Sequence, residues 1–284
     1  MKKTLVCSTS TSCLDYYPYE HDIELMRLKI QVYDEFLADG SEIKADDFYE
    51  ILKNDKNFIP KTSQPSIEEV TLFYEDIIKR GYERVFISTI SSKLSGTYNV
   101  LATTAKTFED KLEIIVFDTK TVFFNEALFA LRASQMFKDG LSSDEVVKKL
   151  EILRDNNTIF FVVEKLDYLI KNGRLSGAKA FFGKLLKVKP VLQLQKTGEI
   201  TSIDSSKSTK KALHIITNKI KEYTKGKNYE AYLLMTGDGE LKDFFSKIIS
   251  DELGLDNLIL CPGSPVVGGH VGPNCVGISI ILKD

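Results

Sequence analysis

Four stretches of the chain hold residues whose types and spacing suit chemistry. Ile87 to Asn99, ISTISSKLSGTYN, passes from a β-branched run through a Ser/Gly-rich turn into a helical pattern, the place where α/β sheets bind ligands. Ser92 or Ser95, with Gly96 beside them, is placed to cap that helix, whose first N–H groups have no partner within it. Such a terminus favours an anion by ~0.3–1 kcal/mol when exposed and up to ~2 kcal/mol when partly buried, which suits a carboxylate or phosphate. Plain serine capping fits the segment equally well. Thr62-Ser63-Gln64-Pro65-Ser66 is hydroxyl-rich; Ser66 followed by Glu69 matches a capping box, leaving Thr62 and Ser63 with no local task beyond turn hydrogen bonds. Gly263 to Gly277, GSPVVGGHVGPNCVG, holds five Gly and two Pro and reads as a loop on which backbone approaches a ligand closely. His270 sits in its middle, either a satisfied structural histidine or a functional one, since loops carry function more often than cores do. Leu166 to Lys179, LDYLIKNGRLSGAK, reads as an apolar helix closed by Asn172-Gly173. Arg174 follows it, either solvated or a forked clamp on carboxylate or phosphate.

Other chemistries are excluded. No GxxxxGK[ST], no GxGxxG after a strand and no GxSxG occurs, which removes the P-loop, the dinucleotide fingerprint and the usual hydrolase serine elbow. With 38 Lys+Arg against 40 Asp+Glu and a net charge of -2, the chain has no global field to steer nucleic acid. Three His and four Cys without CxxC spacing argue against a metal site. The first residues, MKKTLVCSTS, hold only about three apolar positions before a polar run, short of a secretory h-region. No apolar stretch approaches the ~20 residues of a membrane span, so no stable membrane insertion is expected. Thiols without a disulfide framework place the chain in the cytoplasm.

The elements that position these segments show in the periodicity. Leu5 to Ser8, Arg84 to Ile90, Leu112 to Phe117 and Thr158 to Val163 read as strands. Ile67 to Lys79, Gly96 to Thr107 and Asn125 to Lys138 space apolar residues three and four apart. That alternation predicts a parallel α/β sheet. Residues 40 to 60 are polar, with a short helix at Asp46 to Lys53. From about residue 158 the pattern becomes a smaller α+β unit with a mixed sheet. It comprises a hairpin turning at Gly198, a helix over Ser208 to Tyr223, strands at Tyr232 to Met235 and Leu258 to Leu260, a helix near Leu241 to Leu253, and a strand at Gly277 to Leu282. The expected domains are 1–158 and 159–284, closely packed. The 17 Phe include doublets at 123–124, 160–161, 181–182 and 244–245. These fit ordinary core, and a Phe-lined ligand cavity is the sharper alternative.

Thr62-Ser-Gln-Pro-Ser66, Ser91-Ser-Lys-Leu-Ser-Gly-Thr97, Leu166-Asp-Tyr-Leu with Gly173-Arg-Leu-Ser-Gly177, Lys189-Pro-Val-Leu192 and Gly269-His-Val-Gly-Pro273 together resemble the signature blocks of the DegV family of bacterial fatty-acid-binding proteins. They occur in the family's order across nearly the whole chain. The resemblance implies a two-domain fold with an N-terminal three-layer α/β/α parallel sheet and a long-chain fatty acid held between the domains. It implies no catalysis by the chain alone and no cofactor. The partner would be the ATP-dependent catalytic subunit of a fatty acid kinase, which phosphorylates the presented carboxylate to acyl phosphate for phospholipid synthesis. By motif, Thr62 and Ser95 hold the carboxylate, His270 lies nearby, and Arg174 stands at the head-group opening or the kinase-facing surface. An acyl tunnel would give Phe181-Phe182 a place along it. The chain departs from the pattern in three places. Cys7-Ser8-Thr9-Ser10 replaces the Asp-Ser pair that usually ends the first strand, Asn274 replaces the last Gly of Gly-Pro-Gly, and Tyr16 to Ile23 looks like an insert. Two rivals stand beside the carrier. One is a serine-dependent acyl hydrolase or transferase with Ser95 as nucleophile and His270 as base, which requires the two paired at about 2.6–3.2 Å with a third group orienting the histidine. The other is a binding module for a different anionic amphiphile.

Overall fold

The computed structural model describes residues 2–177, 188–238 and 241–283. In chain order the first elements are β1 (Thr4–Thr9), β2 (Glu24–Met26), β3 (Lys29–Val32), β4 (Glu35–Ala38), α1 (Ala45–Asn54), β5 (Lys61–Ser63), α2 (Ile67–Lys79), β6 (Arg84–Thr89), α3 (Thr97–Ala105) and β7 (Glu113–Asp118). Then come α4 (Phe124–Lys138), α5 (Ser143–Asp155), β8 (Asn157–Val162), α6 (Asp167–Lys171), β9 (Lys189–Leu194), β10 (Ile200–Ser206) and α7 (Thr209–Thr224). The chain closes with β11 (Tyr229–Met235), α8 (Lys242–Leu253), β12 (Leu260–Pro262), α9 (Pro265–Val271) and β13 (Val276–Leu282).

The expected parallel sheet is present, in the order β2-β1-β6-β7. Side chains alternate across it. Leu5, Cys7, Val85 and Ile87 pack on α2 and α3, while Val6, Phe86 and Phe117 pack on α4, which makes three layers. The Ser66–Glu69 capping box starts α2. From Phe124 to Ala130 every residue of α4 is buried, as expected of a helix covered on all sides. The second sheet provides that cover: Ile159, Phe161, Leu192 and Leu194 share a core with α4 and α5.

This second sheet is mixed, ordered β10-β9-β8-β13-β11-β12, with β11–β12 its one parallel pair. Its far face carries Phe160, Val162, Ile278 and Ile280 under α7 and α8. Gly198 takes φ +89° at the β9–β10 turn as expected, and β12 lies two residues beyond its expected place. Among the described residues the Phe doublets are core, and no phenylalanine lines the small cavity described below. Phe181-Phe182 lies outside the described residues. No described helix is long and apolar enough to cross a membrane, and all four cysteines are free and buried.

Two parts of the fold were not expected. The first is a small antiparallel sheet, β4-β3-β5, whose three- and four-residue strands are too short to show a period. The second corrects the reading of Gly263 to Gly277 as a loop, because Pro265 to Val271 forms α9. Ser264 caps it and Pro265 opens it, an arrangement that suits the first helical turn. Its glycines serve close packing: a Cβ on Gly268 would lie 2.5 Å from the Tyr49 hydroxyl. Gly268→Ala should therefore lower stability by about 1–3 kcal/mol through overpacking, and should displace α9 from α1. Urea melts would test this, and an unchanged midpoint would show that Tyr49 moves aside freely.

Candidate functional site

Each chemistry-bearing segment is brought to one place by a different element. β5 pairs with β3, Thr62 opposite Ile30, and this places Thr62 beside α9. Asn172, at the end of α6, donates from Nδ2 to Pro60 O (3.3 Å) and Gly269 O (3.1 Å), tying the turn that carries Arg174 to both. The loop between β6 and α3 is fixed by Ser91, whose hydroxyl donates to Gly198 O at 2.8 Å.

As a result Thr62, Ser95, Arg174 and His270 line one cavity, with Thr11 and an aliphatic wall that includes Leu28, Ile90, Leu94 and Leu169. Its volume is about 50 Å³, far below the ~300–1,000 Å³ of drug-sized pockets. Thr62 Oγ1 lies 2.8 Å from His270 Nε2. His270 Nδ1 is buried with no partner among the described residues. In the tautomer with its proton on Nδ1, Thr62 donates to Nε2 and Nδ1–H is left seeking an acceptor. Arg174 is half-buried: Nε donates to Leu94 O at 3.0 Å and Nη1 to Asn172 O. Burial alone depresses its pKa, so it is a cation with no carboxylate partner among the described residues.

Ser92 and Gly96, also expected among the ligand-binding residues, do not line this cavity. Ser92 donates from N (3.1 Å) and Oγ (2.5 Å) to Asp118 at the end of β7, stapling two loops together. Gly96 is itself the N-cap of α3, and the Gln64 side chain fills the space its Cβ would need. Ser95, one residue before that cap, accepts from Thr97 N at 3.3 Å and meets Thr97 Oγ1 at 2.8 Å.

Two buried carboxyl groups behind the cavity were missed from the sequence. Asp39, after β4, accepts from Ser264 Oγ (2.9 Å) and Val266 N (3.1 Å) and so holds the N-terminus of α9, where negative charge is favoured. Burial pushes it up to about 6 against the hydrogen bonds from Ser10, Val266 N and Ser264. Glu126 on α4 meets the hydroxyls of Ser8, Thr9 and Thr11. Burial pushes it up to about 8 against those same bonds. The first strand thus carries hydroxyls where the resemblance expects a carboxylate, and α4 provides one. A lone Glu within FFNEALFALRA was the available signal, because a charge in an otherwise apolar helix needs buried partners. Asn274 takes the left-handed φ of +59° and donates to Glu164 Oε2 at 2.9 Å. In the insert-like segment, the Tyr16 hydroxyl accepts from Ala45 N at 3.0 Å at the start of α1.

Burial, with the Arg174 charge second, holds His270 down to about 3 from an ordinary 6.5. The imidazole is therefore neutral at physiological pH. Below pH ~6.5 the unfolded chain takes up a proton that the folded chain refuses, so this contribution to stability is lost as pH falls toward 3, by up to about 1.4 kcal/mol per pH unit. Glu126 acts in the opposite direction between its ordinary 4.5 and about 8. The wild type should therefore lose stability relative to His270→Gln in urea melts as pH falls from 7 to 4. A difference constant from pH 7 to 4 would mean that the buried histidine protonates freely.

The geometry does not favour the acyl-hydrolase alternative. Ser95 Oγ is engaged with Thr97 and His270 with Thr62, and no carboxylate among the described residues orients the free His270 nitrogen. The arrangement instead gathers a cation, hydroxyls and an imidazole around one small cavity in largely apolar surroundings.

Comparison with known proteins places the chain in a family. The family model described as "Uncharacterised protein, DegV family" matches residues 3–283. A DegV domain-containing protein of Clostridium acetobutylicum is 31% identical over 284 residues, covering 99% of both chains. The solved structure of a fatty-acid-binding DegV family protein from Thermus thermophilus aligns over 100% of both chains with a TM-score of 0.87 at 26% identity. That of a stearic-acid-binding protein from Eubacterium ventriosum aligns over 100% of this chain and 99% of that one, with a TM-score of 0.87 at 28% identity. With a parallel and a mixed sheet assembled as in these structures, and a family match from end to end, the chain belongs to the DegV family.

Proposed function

We propose that this protein binds a long-chain fatty acid, with the carboxylate at Thr62, Ser95, His270 and Arg174, and presents that carboxylate to a separate ATP-using kinase subunit that converts it to acyl phosphate. The observation that carries the reading is the pairing of an unneutralised arginine with an unpartnered imidazole nitrogen in a cavity otherwise walled largely by aliphatic side chains. A polar anion with an apolar body answers both halves of that lining. The fatty acids bound by the Thermus and Eubacterium relatives have this chemistry.

Most of the affinity would come from the tail. Burying about 14 methylenes at ~0.8 kcal/mol each sets an upper bound near ~11 kcal/mol, before the costs of association and ordering. Because the cavity measures only about 50 Å³, a tail must part the aliphatic packing around it. The head group sets orientation. Arg174 spends the N–H of Nε and one of Nη1 on backbone carbonyls, which fixes its orientation and leaves the other N–H groups for a ligand. A carboxylate held this way keeps a lone pair for attack on the γ-phosphorus of ATP, forming the acyl–phosphate bond as ADP leaves. A cytoplasmic setting supplies both ATP and reduced thiols.

Native mass spectrometry of the protein purified from a bacterial host tests the proposal. A co-purified fatty acid is the expected result. Protein that arrives empty and takes up neither oleate nor palmitate would sink it.

A further inference from the structure

Behind the cavity, the Glu126 carboxyl and two hydroxyls close a ring. Glu126 Oε1 meets Thr9 Oγ1, Glu126 Oε2 meets Thr11 Oγ1 at 2.7 Å, and the two threonine oxygens are 2.8 Å apart. Each of these three oxygen–oxygen contacts needs one hydrogen, and the two hydroxyls supply two. Further donors reach individual oxygens from outside: Ser8 Oγ to Oε1 at 3.4 Å and Ile90 N to Thr9 Oγ1 at 3.3 Å. Neither can stand between Thr9 and Thr11. The third hydrogen therefore belongs to the carboxyl group.

We infer that Glu126 is a protonated, neutral acid in the working protein, and that its neutrality makes it a specificity residue, admitting an anionic head group to the adjoining cavity. Thr11 is the link, since its hydroxyl belongs to the ring and its side chain lines the cavity. An ionised Glu126 would set a buried negative charge one hydroxyl behind the ligand, where low dielectric makes like-charge repulsion strong. A protonated Glu126 instead completes a neutral ring with Thr9 and Thr11, so that no charge behind the cavity opposes the charge of the ligand. The role as a specificity residue rests on the fatty-acid reading above, whereas the protonation state does not.

The neighbouring ionisable groups leave the range above pH 7 to Glu126, which burial pushes up to about 8. Burial holds Cys13, after the first strand, well above the usual thiol range, and lifts Cys261 and Cys275 to about 12. Burial likewise raises the phenols of Tyr17 and Tyr232, which pack on Phe124 of α4. Asp39 lies near 6 and His270 near 3. Arg174 stays cationic, and Arg154 on α5 is turned to Asp118 O.

Infrared titration of the whole protein should show a protonated carboxylic acid band at pH 7 that disappears through about pH 8 and that Glu126→Gln lacks. If that variant does not fold, carbon-13 glutamate NMR of the wild type gives the same readout, one carboxyl titrating far above the rest. In parallel, wild-type affinity for oleate should weaken about ten-fold or more from pH 7 to 9.5, one decade per pKa unit passed, whereas Glu126→Gln, which shares oleate's own ionisation, should stay nearly flat. A wild type without such an acid overturns the inference. An acid band without the affinity change overturns the specificity role alone. Failure to bind oleate at any pH overturns the fatty-acid reading and the specificity role together, and leaves the protonation state to the spectra.

Discussion

Replacing Arg174 with methionine should lower the preference of the protein for a free fatty acid over its methyl ester by about 10-fold or more. The substitution keeps an apolar stem of similar reach and removes the unneutralised cation of the cavity. A hydrogen bond to a charged group contributes about 1.5–3 kcal/mol, equivalent to about 10–150-fold in affinity. The ester lacks the charge, so its binding should change little. Losing the bonds to Leu94 O and Asn172 O also costs stability, and comparing acid with ester in the same variant cancels that cost. Competition binding on both proteins reads the result. A variant that discriminates as strongly as the wild type would remove Arg174 from the head-group site.

The second large effect belongs to Thr62→Ala combined with Ser95→Ala. Both hydroxyls line the cavity from separate elements; Ser95 can donate to a carboxylate oxygen itself, and Thr62, by donating to His270 Nε2, holds the tautomer whose Nδ1–H is free to donate. Losing both should weaken acyl retention by about 10²-fold, since each bond to a charged acceptor contributes at least ~1.5 kcal/mol, and should lower kinase-dependent acyl phosphate formation in parallel. The two losses differ in kind. Thr62→Ala also strips His270 Nε2 of its partner, leaving a second buried nitrogen unsatisfied at a cost of about 1–3 kcal/mol in stability. Ser95→Ala gives up only contacts with Thr97. Acyl content by native mass spectrometry and turnover with a bacterial kinase subunit are the measurements. Normal turnover in the double variant would count against the carboxylate assignment.

The parts of the fold that were legible are those whose signals are local. The helix over Ile67 to Lys79 was readable because its capping box and apolar spacing lie within its own residues. The turn at Gly198 was readable for the same reason. The β4-β3-β5 sheet was not, since strands of three and four residues show no period. Nor was α9: Gly268 and Gly269 argue against a helix by propensity, and close packing on Tyr49 and Ile30 overrides that preference. Ser92 was grouped with Ser95 because the two share one segment, yet Asp118, on a different strand, claims it.

The sequence alone therefore determined the family and the alternation that makes the parallel sheet, and it put Thr62, Ser95, Arg174 and His270 forward as site candidates, because blocks, caps and periods are properties of neighbouring residues. Only the tertiary structure decided which groups meet. Thr62 finds His270 across 208 positions, and Glu126 finds Thr9 across 117. The proton that Glu126 carries follows from a count of hydrogens in a buried ring. These pairings are set where three sheets and α4 exclude water, and there each buried polar group must take whatever partner the packing places within reach.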